Sequence, residues 1–317
     1  MYFKLSNSIN SLTLSFVAVN YKQDIKGGNM KKAIILLAVI LLLVPTFTFA
    51  QSQVKATKII DQINNGKAIQ YKNAEIIGDL DFRSIDDVTP DKKNRERREG
   101  TRRKNWSTNM HWYNVKSPVS FISCVFSGDV IGYFHDDKKN ETHNVIFHGD
   151  VNFQGCEFKG KAAFKYAKFL EKANFKDTKY HKEALFKYTS FSTDISFSNA
   201  HFYGDANFKY TKFPRSVHFD SATFQGDANF KYTKFPQSGH FNNATFQDYA
   251  DFKYVKFPKG VSFENAEFDG DACFKYTKFY EPVNFDGVDF KNDVDFKYTK
   301  IDGKSFTRYL LKKKFKK

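Results

Sequence analysis

From Phe153 onward the large apolar positions fall at Phe153, Phe158, Phe164, Phe169, Phe175, Tyr180, Phe186, Phe191, Phe197, Phe202 and Phe208, and the series runs on to Phe296. Steps of five and six residues alternate, so four of them close a period of 22. At that period residues 204–214 return unchanged as 226–236, and the triplet Phe-Lys-Tyr recurs at Phe164, Phe186, Phe208, Phe230, Phe252, Phe274 and Phe296. A 3.6-residue helix would scatter such positions over every side. A coil whose short sides are five or six residues long turns each of them inward. Two residues before each ring stands a small or β-branched residue: Ala206, Thr211, Val217, Ala222, Ala228, Thr233, Gly239, Ala244. One large and one small inward slot per side, with Lys, Asp, Asn, Gln and Ser between them, predict a four-sided all-β coil.

Ala206-Asn207-Phe208, Ala228-Asn229-Phe230 and Ala250-Asp251-Phe252 fit the pattern A-(D/N)-(L/F)-x-x. The chain thus resembles the pentapeptide-repeat family over roughly residues 66–306. The resemblance implies a right-handed quadrilateral β-helix and says little about activity. The departure is a sixth residue on alternate sides, often after proline (Pro214, Pro236, Pro258), which predicts two wider corners per coil. Stacked coils need capped ends. Residues 56–65 read as a short amphipathic helix with Ile59, Ile60 and Ile63 inward and Gly66 just past its end, within an N-terminal cap at 51–66. Phe306, Tyr309, Leu310 and Leu311 are expected over the last coil, the last three from within a basic C-terminal tail at 307–317.

Residues 71–82 read as a first coil, with Tyr71, Ile76 and Phe82 inward. The pairing then fails at 84–116 and again at 133–145, both rich in charge, and these are expected to be loops extruded from the coil. Flanking the second break, residues 119–128 align with 151–160. Cys124 and Cys156 should therefore stack in the small slot of adjacent coils, about 4.8 Å apart. Such spacing allows a disulfide, but parallel in-register side chains give it poor geometry, so both a bond and a pair of buried thiols stay open.

Composition changes the picture in two ways. The 37 phenylalanines against three cysteines mean that packing, not cross-linking, supplies the core. A net charge of +15 suggests a polyanionic neighbour (acidic glycan, anionic membrane face or nucleic acid), with plain solubility as the alternative. Lys31-Lys32, an apolar run at 33–44 and Thr48-Phe49-Ala50 read as a signal peptide at 30–50, or an uncleaved anchor. Residues 1–29 then read as an over-extended start.

A constant period turns outward positions into ladders. One is Lys165, Lys187, Lys209, Lys231, Lys253, Lys275 and Lys297. A second, around the corner, is Lys168, Lys212, Lys234, Lys256, Lys278 and Lys300, with Tyr166, Tyr188, Tyr210, Tyr232, Tyr254, Tyr276 and Tyr298 between. Asp220, Glu264 and Asp286, and the set Asp205, Asp227, Asp271 and Asp293, are expected along the opposite edge. Lysines about 4.8 Å apart repel by roughly 1 kcal/mol per pair even in water. A polyanion would relieve this, with tyrosine faces free to stack on sugars. Duplicated coils also copy surface residues whether or not they are used.

Nothing in the sequence points to a cofactor or a metal, and no nucleophile–base motif, phosphate-binding glycine loop or CxxC appears. His135-Asp136-Asp137 and His143 share one insertion and offer metal-binding groups, but such residues are common in polar loops. His218 and His240 repeat at the coil period and read as surface copies. The expectation is an exported, non-enzymatic scaffold that docks on an anionic glycan or lipid headgroup surface, with a protein partner also open. The alternatives are a polysaccharide-acting β-helix enzyme and a DNA-mimicking topoisomerase inhibitor. The last requires an acidic cytoplasmic rod, which a basic chain with an export signal opposes.

Overall fold

The computed structural model describes residues 51–91 and 109–309, so the leader expected at 30–50, the segment before it, Leu310, Leu311 and the rest of the tail lie outside the described residues. Each repeat is four two-residue strands, which we call faces one to four in chain order. In one coil they are Val151–Asn152, Glu157–Phe158, Ala162–Ala163 and Lys168–Phe169. Every strand pairs in parallel with its equivalent one period on: Val151 with Ala173, Glu157 with Lys179, Ala162 with Ala184, Lys168 with Ser190. Three sheets therefore run the length of the stack, and the fourth is made of two pieces on face four.

The inward columns are as the spacing requires. Phe197 and Phe219 stack at 5.1 Å, and Phe224 and Phe246 at 4.9 Å, nearly parallel. Between columns the rings meet edge to face, as Phe208 and Phe219 do at 5.1 Å. Both are favoured arrangements of aromatic quadrupoles. The small slots Ala206, Thr211, Val217 and Ala222 are buried with them.

The five-residue steps turn through a tight corner. In Phe208-Lys209-Tyr210-Thr211 the Thr211 amide donates to the Phe208 carbonyl at 3.0 Å, and Tyr210 has φ +61°. Where Asn or Asp precedes the ring, its side chain caps this corner from outside, as Asp251 and Asp295 also do. Asn207 Oδ1 accepts from the Lys209 amide, and Asn229 Oδ1 from that of Lys231. That is the physical meaning of the N/D position in the repeat, which the spacing alone did not reveal. On face four, the amides of Ser192 and Tyr280 donate to Phe169 and Phe257 of the preceding coil. The equivalent residues Pro214, Pro236 and Pro258 have no amide to give. There the sheet thins to single bridges, Ser190 to Lys212, Lys212 to Lys234 and Lys234 to Lys256.

At the N-terminal end, β1 (Ser52–Lys55) pairs with Ala74–Ile77, and α1 (Ala56–Asn64) buries Ile59, Ile60 and Ile63 over the first coil. Gly66, at φ +67°, donates to Ile63 and closes the helix. Strand β1 had no period to announce it. Ile76 and Phe82 are buried in the first coil, and Tyr71 is partly buried against Phe121. At the other end Phe306 is buried, with ring centroids 4.9 Å from Phe279 and 5.0 Å from Phe296.

The insertions are not loops throughout. Within 84–116, β2 (Val88–Asp91) and β3 (Asn109–Val115) pair antiparallel; within 133–147, β4 (Tyr133–Asp136) and β5 (Glu141–Phe147) form a hairpin. Strands β3 and β5 then pair in parallel over seven positions, widening face four sideways. Their charged composition hid this, because the apolar contacts they use (Trp112, Tyr113, Val145) come from two strands well separated along the chain. Cys124 and Cys156 occupy the small slot of adjacent coils, both buried and unbonded. Cys156 Sγ donates to the Phe121 carbonyl at 3.2 Å.

Candidate functional site

The third corner, between faces three and four, carries both lysine ladders. It is built from a type II turn whose third position must take positive φ, normally a place for glycine or asparagine. At the first corner the same turn uses Gly155, Asp177, Asn199, Ser221, Asn243, Asn265 and Gly287. At the third corner it is tyrosine every time, Tyr166 through Tyr298, at φ 61–63°. A left-handed non-glycine residue costs roughly 1–2 kcal/mol. Ring stacking offsets part of that, since neighbouring tyrosines lie 4.7–4.8 Å apart along the whole ladder.

This stacking corrects one expectation. From Tyr188 to Tyr276 each ring covers its neighbour's face, so sugars cannot stack there. What remains outward is the ring edges and hydroxyls. Tyr298, the last rung, is more than half exposed.

Lys187, Lys209 and Lys231 lie beside the rings of Tyr188, Tyr210 and Tyr232, at 5.4–5.5 Å from the centroids. Around the corner, Lys212, Lys234, Lys256 and Lys278 follow one another on face four. Tyr210, Tyr232, Tyr254, Lys234, Lys256 and the intervening prolines line a shallow groove of roughly 400 Å³. Lys275 pairs with Asp295 at 3.4 Å, which raises its pKa. Among the described residues, Lys187, Lys209, Lys231, Lys253 and Lys297 have no such carboxylate partner. Burial, then the charges of Lys187 and Lys231, push the Lys209 ammonium below its usual pKa.

The first rungs are different. Lys165 donates to the Tyr133 hydroxyl at 2.7 Å and Lys168 sits 3.8 Å above the Trp112 ring, so the widened part of face four engages both of these lysines. Burial lowers the pKa of Lys165. Asp220, Glu264 and Asp286 occupy the first corner, diagonally across the coil as expected. Asp205, Asp227, Asp271 and Asp293 do not: they stand at the second corner, one face away from the lysines.

His218 and His240 are stacked 4.5 Å apart on face one. His218 Nδ1 lies 3.0 Å from Asp220, and Ser238 Oγ 2.9 Å from His240 Nε2, a pairing that residue spacing did not disclose. The thiols titrate as a pair. The neighbouring Cys156 thiol lowers the first step, at Cys124, to about 7, while burial drives Cys156 far up.

Short parallel strands, a coil of constant period and ladders on four faces define a quadrilateral solenoid of tandem repeats. The family model described as pentapeptide repeats (9 copies) matches residues 143–187, 164–212, 208–256 and 252–300. The chain belongs to the pentapeptide-repeat family. Comparison with curated proteins and with solved structures gives no match.

Proposed function

We propose that this pentapeptide-repeat scaffold is exported and works without a reaction of its own, holding a linear anionic glycan along its third corner. One observation carries the reading: lysine columns on both sides of the tyrosine ladder repeat at the coil spacing, and most rungs of the first column lack a carboxylate partner. A row of negative groups lying in the groove would meet ammonium groups on both sides and tyrosine hydroxyls on its floor. The basic, apolar and small-residue regions at 30–50 support export.

The test is retention of the full chain on an immobilised acidic polysaccharide and on phosphatidylserine vesicles as salt is raised. Glycan binding that weakens with salt and is lost when Lys209, Lys231 and Lys253 become Gln supports the reading. Binding to vesicles alone transfers the edge to a membrane surface. Retention unchanged by the substitutions discards the proposal.

A further inference from the structure

On the widened part of face four, β5 lies between β3 and β4, and the register sets Asn144 beside Trp112 on one side and Tyr133 on the other. Residues paired in this way share one face of a sheet. Here it is the outward face, because both rings meet the lysines that open the two columns. Lys168 Nζ lies 3.8 Å from the Trp112 ring centre, and Lys165 Nζ 4.2 Å from that of Tyr133. Asn144 is 1% exposed, and among the described residues neither atom of its amide has a hydrogen-bond partner. Such an amide weakens the fold, and packing alone gives no reason to keep it. Tyr133 also stands outside the coplanar tyrosine stack: its ring is tilted 47° from Tyr166, whereas Tyr166 and Tyr188 are 3° apart. Ammonium groups on flexible stems, rather than fixed rings, lie on the faces of Trp112 and Tyr133.

We propose that Trp112, Asn144 and Tyr133, with Lys165 and Lys168, bind one uronic acid residue, a pyranose ring that carries a carboxylate. Two strand spacings separate Trp112 from Tyr133, about 10 Å at the sheet. One sugar ring with van der Waals contact on both sides takes about 8 Å. The C–H face of the sugar lies on the aromatic walls. Its hydroxyls supply the donor and the acceptor that the Asn144 amide lacks. The carboxylate draws the Lys165 and Lys168 ammonium groups off the rings, exchanging cation–π contacts for charge-assisted hydrogen bonds. That swing of two long side chains opens the amide to the ligand. The site rests on the glycan reading, and supplies at the first rungs the sugar stacking that the tyrosine ladder cannot.

Fluorescence of the full chain tests it, in a Trp106→Phe background where Trp112 is the one tryptophan left. Trigalacturonate should shift the Trp112 emission to saturation, and maltotriose, which has no carboxylate, should not. Asn144→Leu should weaken trigalacturonate binding at least tenfold while raising the melting temperature, because the unpartnered amide is gone. A merely structural Asn144 would give the second effect without the first. Lys165→Gln and Lys168→Gln together should abolish the shift. Lys209→Gln, Lys231→Gln and Lys253→Gln should leave it as it is, whereas retention on the long polysaccharide depends on those three, so the two readings fail by different signals. The proposal is overturned if trigalacturonate moves the emission no more than maltotriose does, or if the folded Asn144 and lysine variants bind it as the parent chain does.

Discussion

Thr211 Oγ1 donates a 2.7 Å hydrogen bond to the carbonyl of Phe186, tying a small inward slot of one coil to a ring position of the coil before. Thr189, Thr233, Thr277 and Thr299 repeat the link. At the equivalent slot stands Val255, so the Phe230 carbonyl keeps only the Thr233 amide. Thr211→Val should therefore lower stability by about 0.5–1.5 kcal/mol, and Val255→Thr should raise it by a similar amount. Chemical denaturation of both variants checks the pair; equal stabilities would remove the link from the list of forces joining coils.

Tyr180 fills a slot that phenylalanine fills above and below it, stacked at 4.9 Å on Phe158 and 4.8 Å on Phe202. Its hydroxyl is fully buried, and among the described residues no atom accepts from or donates to it within hydrogen-bond geometry. Thr178, the nearest candidate, spends its proton on the Phe175 carbonyl. Tyr180→Phe should stabilise the chain by on the order of 1 kcal/mol, read from the denaturation midpoint.

Gly160 marks a close approach at the second corner. A Cβ there would sit 2.4 Å from the Gly128 carbonyl oxygen of the coil before. Gly160→Ala has to push two coils apart and should cost about 1–3 kcal/mol. A melting temperature equal to the parent's would show that this corner yields without strain.

Acid should weaken the solenoid below neutrality. Burial holds His201 and His240 below the ordinary histidine range, aided by Lys179 near the first and His218 near the second. A depressed base contributes stability above its unfolded pKa of about 6.5 and loses it as pH falls through the folded value. His218, raised by its hydrogen bond to Asp220, acts the other way and stabilises at low pH. His143 is lowered by burial as well, so three depressed rings stand against one raised, and the melting temperature should drop between about pH 7.5 and 5.5. His240→Gln should make that drop smaller.

How much of this was legible in the chain depends on range. The phenylalanine columns, the helix Ala56–Asn64 and the shared slot of Cys124 and Cys156 were readable, because each follows from a period or a local pattern. The pairing of Asn109–Val115 with Glu141–Phe147 was not, since it joins two irregular insertions with a whole stretch of coil between them. The stacking that hides the Tyr188 to Tyr276 faces was also invisible. A ladder of identical residues can be read from a sequence, but the direction in which their rings lie cannot. The acidic sets were misplaced for a related reason: the order of faces around the coil decides which corner is opposite which.

Because each ammonium group on the third corner is carried by its own coil, the edge has no fixed size. Duplicating one repeat lengthens the strip by one tooth, and deleting one shortens it, with no junction to repair. Binding strength toward a long chain of charges would then scale with how many copies the gene retains, a property tuned by unequal recombination rather than by altering any single amino acid.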